Sequence, residues 1–173
     1  MLPKDISSTE KARPFLKWAG GKSTLAIDFN RMGLIPKNFN DYYEPFLGGG
    51  AIFFYLYNMG YIQSKAYLTD VNKELINAYN EIKSRSEYLI EELKTLDGKN
   101  SVEFFKECRN EYNTLKKGKI TQAKQKTRKA ALMIYLNKTC FNGLYRENLK
   151  GEFNVPFGDY KNPRILDEAN IRA

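Results

Sequence analysis

The sequence predicts an α/β protein that opens as a doubly wound domain and then gives way to a mostly helical segment. Three observations predict it. Between residues 41 and 82 the order is extended run, glycine turn, apolar helix, second extended run, acid, helix, which is how a doubly wound sheet begins. From about residue 86 to 138 the pattern is helical throughout. Charge changes close to the same place: residues 1–98 carry 12 basic and 12 acidic side chains, residues 99–150 carry 13 and 4, and residues 151–173 carry 3 and 4. The whole positive excess therefore belongs to one block, which is either a solvated helical face or a phosphate-contacting surface.

The elements follow in order. Residues 23–32 are a short helix entered at Ser23-Thr24, Pro36–Asn40 is a loop, and Asp41-Tyr-Tyr-Glu-Pro-Phe46 is extended. Gly48-Gly49-Gly50 ends that strand, and Ala51–Tyr57 continues as a buried helix that closes at Gly60. Lys65–Asp70 is a second strand, and Asn72 caps a helix through Ile82. Ala130–Leu136 is the core segment of the helical part, and residues 139–163, rich in Asn, Gly and Pro, form an ordered loop or hairpin.

Composition narrows the function. At 173 residues and 42% hydrophobic the chain can bury one sizeable core, as one domain with an insertion or as two small lobes. A formal charge of +8 favours a polyanionic partner, nucleic acid before an acidic membrane surface. No apolar run approaches the roughly 18 residues of a membrane span, and the first residues lack the apolar stretch of a signal peptide. A cytoplasmic protein is expected. With no histidine and only Cys108 and Cys140, histidine acid–base chemistry, His-containing zinc sites and a disulfide framework are excluded. Catalysis would have to use carboxylates, hydroxyls, amides, lysine or backbone.

Two glycine segments are candidates for ligand contact. The turn Gly48–Gly50 lets backbone approach a ligand, and Asp70, at the end of the next strand, is placed to hold two ribose hydroxyls. Phe53 stands where the pyrophosphate fingerprint needs Gly or Ala, so a nucleoside without a diphosphate, such as S-adenosylmethionine, fits better. The alternative is an ordinary turn with Asp70 capping the following helix. Ala19-Gly-Gly-Lys-Ser23 is similar to the end of a phosphate-binding P-loop, but Leu16 occupies the position of its first glycine. Trp18 would instead pack on an adenine or methionine portion while Lys22 meets a carboxylate; otherwise the segment is a helix-capping loop beside a core tryptophan.

The loop from residue 137 to 161 brings together the side chains that read bases. Phe141, Asn142 and Arg146 stand close together, with Pro156 and Phe157 ten or more residues later: Arg can make a bidentate contact to guanine, Asn can do the same to adenine, an aromatic ring can stack where a base has left, and an apolar group can meet a thymine methyl. A polar hairpin in which Arg146 merely pairs with Glu147 or Glu152 is the competing reading.

Taken in order, Phe15-Leu-Lys-Trp-Ala-Gly-Gly-Lys22, Tyr43-Glu-Pro-Phe-Leu-Gly-Gly-Gly50, Leu68-Thr-Asp-Val-Asn72, Asn142-Gly-Leu-Tyr-Arg146 and Gly151-Glu-Phe-Asn-Val-Pro-Phe-Gly158 make a pattern that strongly resembles Dam-type DNA adenine-N6 methyltransferases, from about residue 13 onward. The resemblance implies a Rossmann-like S-adenosylmethionine domain split by a helical DNA-recognition insertion: residues 1–72 on the cofactor side, 73–165 for recognition with a hairpin at about 139–160, and 166–173 returning to the catalytic domain. It implies that Trp18, Lys22, Phe46, Gly48, Gly50 and Asp70 line the cofactor pocket, with Asp70 on the ribose. It implies that Lys17 reaches the first guanine, that Phe141 wedges into the duplex beside a flipped adenine, that Asn142 and Arg146 contact the recognition bases, and that Pro156 lies against a thymine. The last two motifs look most like members that recognise GATC, with Phe141 where a tyrosine is common.

The chemistry so implied is direct attack of adenine N6 on the sulfonium-bound methyl, with neither a metal nor a covalent intermediate. An Asp-Pro-Pro-Tyr type tetrapeptide expected of such enzymes does not occur in residues 1–173. The sequence therefore names no catalytic residue, and it reads as the N-terminal portion of a longer enzyme, a portion that on its own is expected to transfer methyl groups poorly or not at all. A non-catalytic DNA-binding module and an RNA methyltransferase are the alternatives. Restriction–modification, mismatch-repair and phage settings are all compatible with these motifs.

Overall fold

The computed structural model describes residues 11–37 and 39–173. Its first helix, α1 (Ser23–Arg31), lies where expected. Two parallel strands, β1 (Tyr42–Glu44) and β2 (Ala66–Leu68), pair Tyr42 with Ala66, Tyr43 with Tyr67 and Glu44 with Leu68. A parallel pair needs a crossover, and α2 (Ala51–Asn58) supplies it. The strand is shorter than the extended run Asp41–Phe46 because the chain turns at Pro45. There Leu47 N donates to Thr69 O at 3.0 Å and Gly50 N to Leu47 O at 2.8 Å. Gly50 opens α2 at φ 71°, and a Cβ there would lie 2.5 Å from Tyr79 Oη, so a larger residue meets both backbone strain and a clash.

The remainder is helical: α3 (Lys73–Lys94), α4 (Val102–Lys117), α5 (Ala123–Thr139) and the short α6 (Glu168–Arg172). Asn72 caps α3 as expected, its side chain accepting from Glu74 N at 3.0 Å and Leu75 N at 3.1 Å. The helix expected to end at Ile82 runs on to Lys94. Arg85 leaves helical dihedrals (φ −145°, ψ 36°), and its Nε donates to Thr127 Oγ1 at 3.2 Å. Beyond that break the helix resumes because Leu89, Ile90 and Leu93 give it a fully buried face. Ser101 caps α4 through a bond from Phe104 N at 3.2 Å.

Helix α5 is the hub, packed by both α3 and α4. Every residue from Ala130 to Leu136 is buried, the signature of a helix apolar all round. Each fully buried large side chain here contributes about 1.5–3 kcal/mol. Phe15, Leu16, Phe153, Val155, Ile165 and Ile171 join the same cluster. The segment entering the glycine-lysine motif and the loop after α5 are thus anchored on one core. That loop is an irregular hairpin: a 3-10 turn at Phe141–Gly143 and single antiparallel bridges Cys140–Phe157 and Glu147–Phe153. Among the described residues no helix is long and apolar enough to cross a membrane.

Candidate functional site

The turn after β1, the end of β2 and the segment before α1 enclose a cavity of about 330 Å³, within the range of roughly 300–1,000 Å³ usual for small-ligand clefts. Trp18, Lys22, Phe46, Gly48 and Asp70 all line it. Gly50 does not. It is buried at the start of α2 against Tyr79 and Phe54, so its contribution is the shape of the turn rather than contact with the cavity. Asp70 is fixed at both oxygens: Oδ2 accepts from Gly48 N and Oδ1 from Asn72 N, each at 2.9 Å. The acid therefore ties the glycine turn to the start of α3, while Asn72, not Asp70, caps the helix. Carboxylate oxygens keep a further acceptor site each when one amide is bound, so the group is both oriented and able to accept two hydroxyls.

Phe46 is 86% exposed and stands at the cavity rim. Lys22 Nζ rests against Gly20 O at 3.3 Å. Glu44 also lines the cavity, though the sequence reading passed over it. Burial pushes its carboxyl above the ordinary carboxylate value, against the opposing bond from Tyr42 Oη at 2.8 Å and the Phe53 amide. Its position at the last residue of β1, just before the turn, was the available signal. A larger cavity of about 400 Å³ between α2, β2 and α3 is lined mainly by rings and aliphatic chains, including Phe53, Tyr57, Leu68 and Tyr79, with no carboxylate side chain among the described residues.

The base-reading candidates gather on the loop after α5. Phe141, half exposed, donates its amide to Pro156 O at 2.9 Å, which sets these two residues side by side. Asn142 is exposed at φ 53°, a left-handed conformation that asparagine tolerates better than most residues. Arg146 does not pair with Glu147 or Glu152. Its Nε donates to Asn154 Oδ1 at 2.8 Å and its Nη2 to Asn154 O at 3.2 Å, while Lys116 takes Glu147 and Lys117 takes Glu152. The neutral partner orients the guanidinium without neutralising it, which leaves the charge to be used elsewhere.

Lys17 sits with its ammonium 4.3 Å above the Tyr160 ring. It lines a basic cavity of about 350 Å³ with Lys138, Lys161 and Arg164. Burial there pushes the Lys138 amine below its ordinary value, Asp167 opposing and the neighbouring cations Arg164, Lys17 and Arg13 adding to the effect. In the basic block Lys116, Lys117, Arg128 and Lys129 are committed to ion pairs with Glu147, Glu152, Glu111 with Glu92, and Glu74 respectively. The block is thus partly a paired helical face. Lys106, Lys119, Lys124, Lys126, Arg146 and Lys150 have no ion pair among the described residues.

Two contact residues were not singled out by the sequence, although Tyr145 lies within the motif Asn142–Arg146. Asn137, buried on α5, binds both the Lys17 backbone and Gly143 O. Tyr145 stacks on Trp18 with ring centroids 5.6 Å apart. A cavity of about 330 Å³ with an oriented acid thus adjoins an exposed loop that carries Phe141, Asn142, Arg146 and Pro156. Residues 18–173 match the family model described as D12 class N6 adenine-specific DNA methyltransferase, and the chain belongs to that family. It is 41% identical over 94% of its length to type II methyltransferase M.MjaIII of Methanocaldococcus jannaschii, covering 57% of that protein. It is 42% identical over 93% of its length to type II methyltransferase M1.LlaDCHI of Lactococcus lactis subsp. cremoris, covering 53%. A DNA adenine methylase of Serratia marcescens is 40% identical over 92% of this chain, with 54% of the relative covered. The chain therefore spans about half the length of the curated relatives it matches.

Proposed function

We propose that the chain supplies the S-adenosylmethionine-binding and DNA-reading surfaces of a site-specific DNA adenine-N6 methyltransferase that acts on GATC in duplex DNA with the target base flipped out. Of the expected cofactor domain, 1–72, the described residues from 11 onward belong to a Rossmann-like unit, residues 1–10 lying outside the described residues; 73–165 belong to the recognition domain, and 166–173 return to the first. The observation that carries this reading is the shared location of two residue sets: the cavity lined by Trp18, Lys22, Phe46, Gly48 and Asp70, and the loop of Phe141, Asn142, Arg146 and Pro156, which touches the Trp18 segment through Tyr145.

The donor set fits the cofactor. Asp70 accepts from the ribose hydroxyls, the Trp18 and Phe46 rings cover the apolar and adenine portions, and Lys22 meets the amino-acid carboxylate. When bound, S-adenosylmethionine supplies an activated methyl group. The chain's own residues supply geometry. Phe141 fills the stack that the flipped adenine leaves, at an unstacking cost of a few kcal/mol. Arg146 and Asn142 read base edges, Lys17 reaches a guanine, and Pro156 packs on a thymine methyl.

Labelled methyl transfer tests the proposal, comparing duplexes that contain GATC or the scrambled GTAC, with the protein expressed from its own reading frame. Label confined to adenine N6 of GATC is the expected result. Equal labelling of both duplexes would remove the site assignment, and DNA binding with no labelling by that protein would leave a binding module.

A further inference from the structure

Three contacts fasten the cofactor-side segment to the base-reading loop. The Asn137 amide, 1% exposed, bonds three backbone groups at once: Oδ1 accepts from Lys17 N at 2.8 Å, and Nδ2 donates to Lys17 O at 2.7 Å and Gly143 O at 2.8 Å. Gly143, at φ 61°, lies directly against the Lys17 stem; a Cβ there would come 2.5 Å from Lys17 Cβ. The Tyr145 ring stacks on Trp18 at 5.6 Å and 24° between planes. Its far end is held by the hydroxyl, which meets Tyr112 Oη at 3.2 Å and Lys116 Nζ at 3.3 Å and donates to Glu147. The same indole touches the glycine turn: a Cβ on Gly48 would lie 3.1 Å from Trp18 Cδ1, and one on Gly49 3.1 Å from Trp18 Cβ. One ring therefore borders the cofactor cavity, the glycine turn and the residue that precedes Arg146.

We propose that Tyr145 is a positioning residue that couples the two sites, so that a ligand in the glycine-turn cavity strengthens duplex binding by the loop, and the duplex strengthens ligand binding to the same degree. The proposal rests on the functional reading above. Its physical basis is a shared ordering cost. A ligand packed on Trp18 fixes the indole, the stack then fixes Tyr145, and the backbone of Asn142–Arg146 is set before DNA arrives. Linkage makes the effect reciprocal, with typical factors of about 5- to 150-fold. Asn137 and Gly143 hold the two segments at a fixed spacing, and the ring contact is the link that itself touches the cavity-lining Trp18.

Trp18 is the only tryptophan of the chain, so its fluorescence reports this link directly. The experiment titrates a GATC duplex and S-adenosylhomocysteine, each with and without saturation by the other, into the parent chain, Tyr145→Phe and Tyr145→Ala. The expected result is at least fivefold mutual tightening in the parent and in Tyr145→Phe, which keeps the ring, and a duplex-induced change in Trp18 emission in both. In Tyr145→Ala each ligand still binds alone, the mutual factor falls to about one and the duplex-induced emission change disappears. Should circular dichroism show that Tyr145→Ala is unfolded, Tyr145→Leu restores apolar volume without an aromatic face and carries the same expectation. Retention of the parent's factor in a folded variant lacking the ring overturns the coupling while the functional reading stands. Failure of the parent to bind either ligand overturns both.

Discussion

Asp70 is the residue where the cofactor assignment is most exposed to test. Its two oxygens each accept a backbone amide at 2.9 Å, from Gly48 and Asn72. Replacing it by asparagine retains one acceptor oxygen and turns the other into a donor that faces a backbone N–H. Loss of one bond from a ribose hydroxyl to the charged acceptor costs about 1.5–3 kcal/mol. At 1.4 kcal/mol per decade this weakens S-adenosylmethionine binding by roughly tenfold to a hundredfold. The turn itself also loses support, so affinity alone does not separate contact from scaffolding. A cycle does: Asp70→Asn is compared with the parent for S-adenosylmethionine and for its 2′,3′-dideoxy analogue by calorimetry, with thermal unfolding measured in parallel. Direct contact predicts a coupling of at least about 1 kcal/mol, since the analogue lacks the hydroxyls that Asp70 would accept. A coupling near zero, with the parent indifferent to the missing hydroxyls, would show that Asp70 only holds the glycine turn.

Three further outcomes are expected. Arg146→Ala, at an exposed side chain bonded to Asn154, leaves the melting temperature nearly unchanged but loses about 1–3 kcal/mol of discrimination between GATC and a singly altered site in competition binding; unchanged discrimination contradicts its role. If about five of the unpaired cations contact phosphate, log K falls against log salt with a slope of about −4 to −5, and a slope near zero removes the basic block from DNA binding. Burial raises the Glu147 carboxyl, but the bonds from Lys116 and Tyr145 outweigh it and hold the group below its ordinary value of 4.5. A carboxyl depressed by folding contributes stability above pH 4.5 that is lost as pH falls through the folded value. The stability advantage of the parent over Glu147→Gln in urea titrations should therefore shrink below that pH, and an advantage that grew there would contradict the pairing.

Local signals carried much of this structure. Asn72 capped α3 because an asparagine before a polar first turn offers an acceptor to orphan amides, and strand, turn and helix around Gly48–Gly50 followed from residue pattern. The same motifs delivered five lining residues of the cavity. What escaped depended on distant partners. The continuation of α3 past Arg85 rests on Leu89, Ile90 and Leu93 meeting the core, and the break itself on Thr127, 42 positions away. The choice of Asn154 over Glu147 or Glu152 by Arg146 follows from lysines on α4 that claim both acids. Asn137 joins backbone 120 positions distant, and no helical periodicity distinguishes such an amide from an ordinary polar residue. Gly50 shows the limit of motif transfer: the glycine is required, but by Tyr79 and a left-handed backbone rather than by the cavity.

The most direct test of the central claim is ultraviolet crosslinking of methyl-labelled S-adenosylmethionine to the chain, followed by peptide mapping. The account predicts saturable labelling, competed by S-adenosylhomocysteine, in the peptides that carry Trp18 or Phe46. Labelling confined to the apolar cavity around Phe53, Tyr57 and Tyr79, or no saturable labelling, would contradict it.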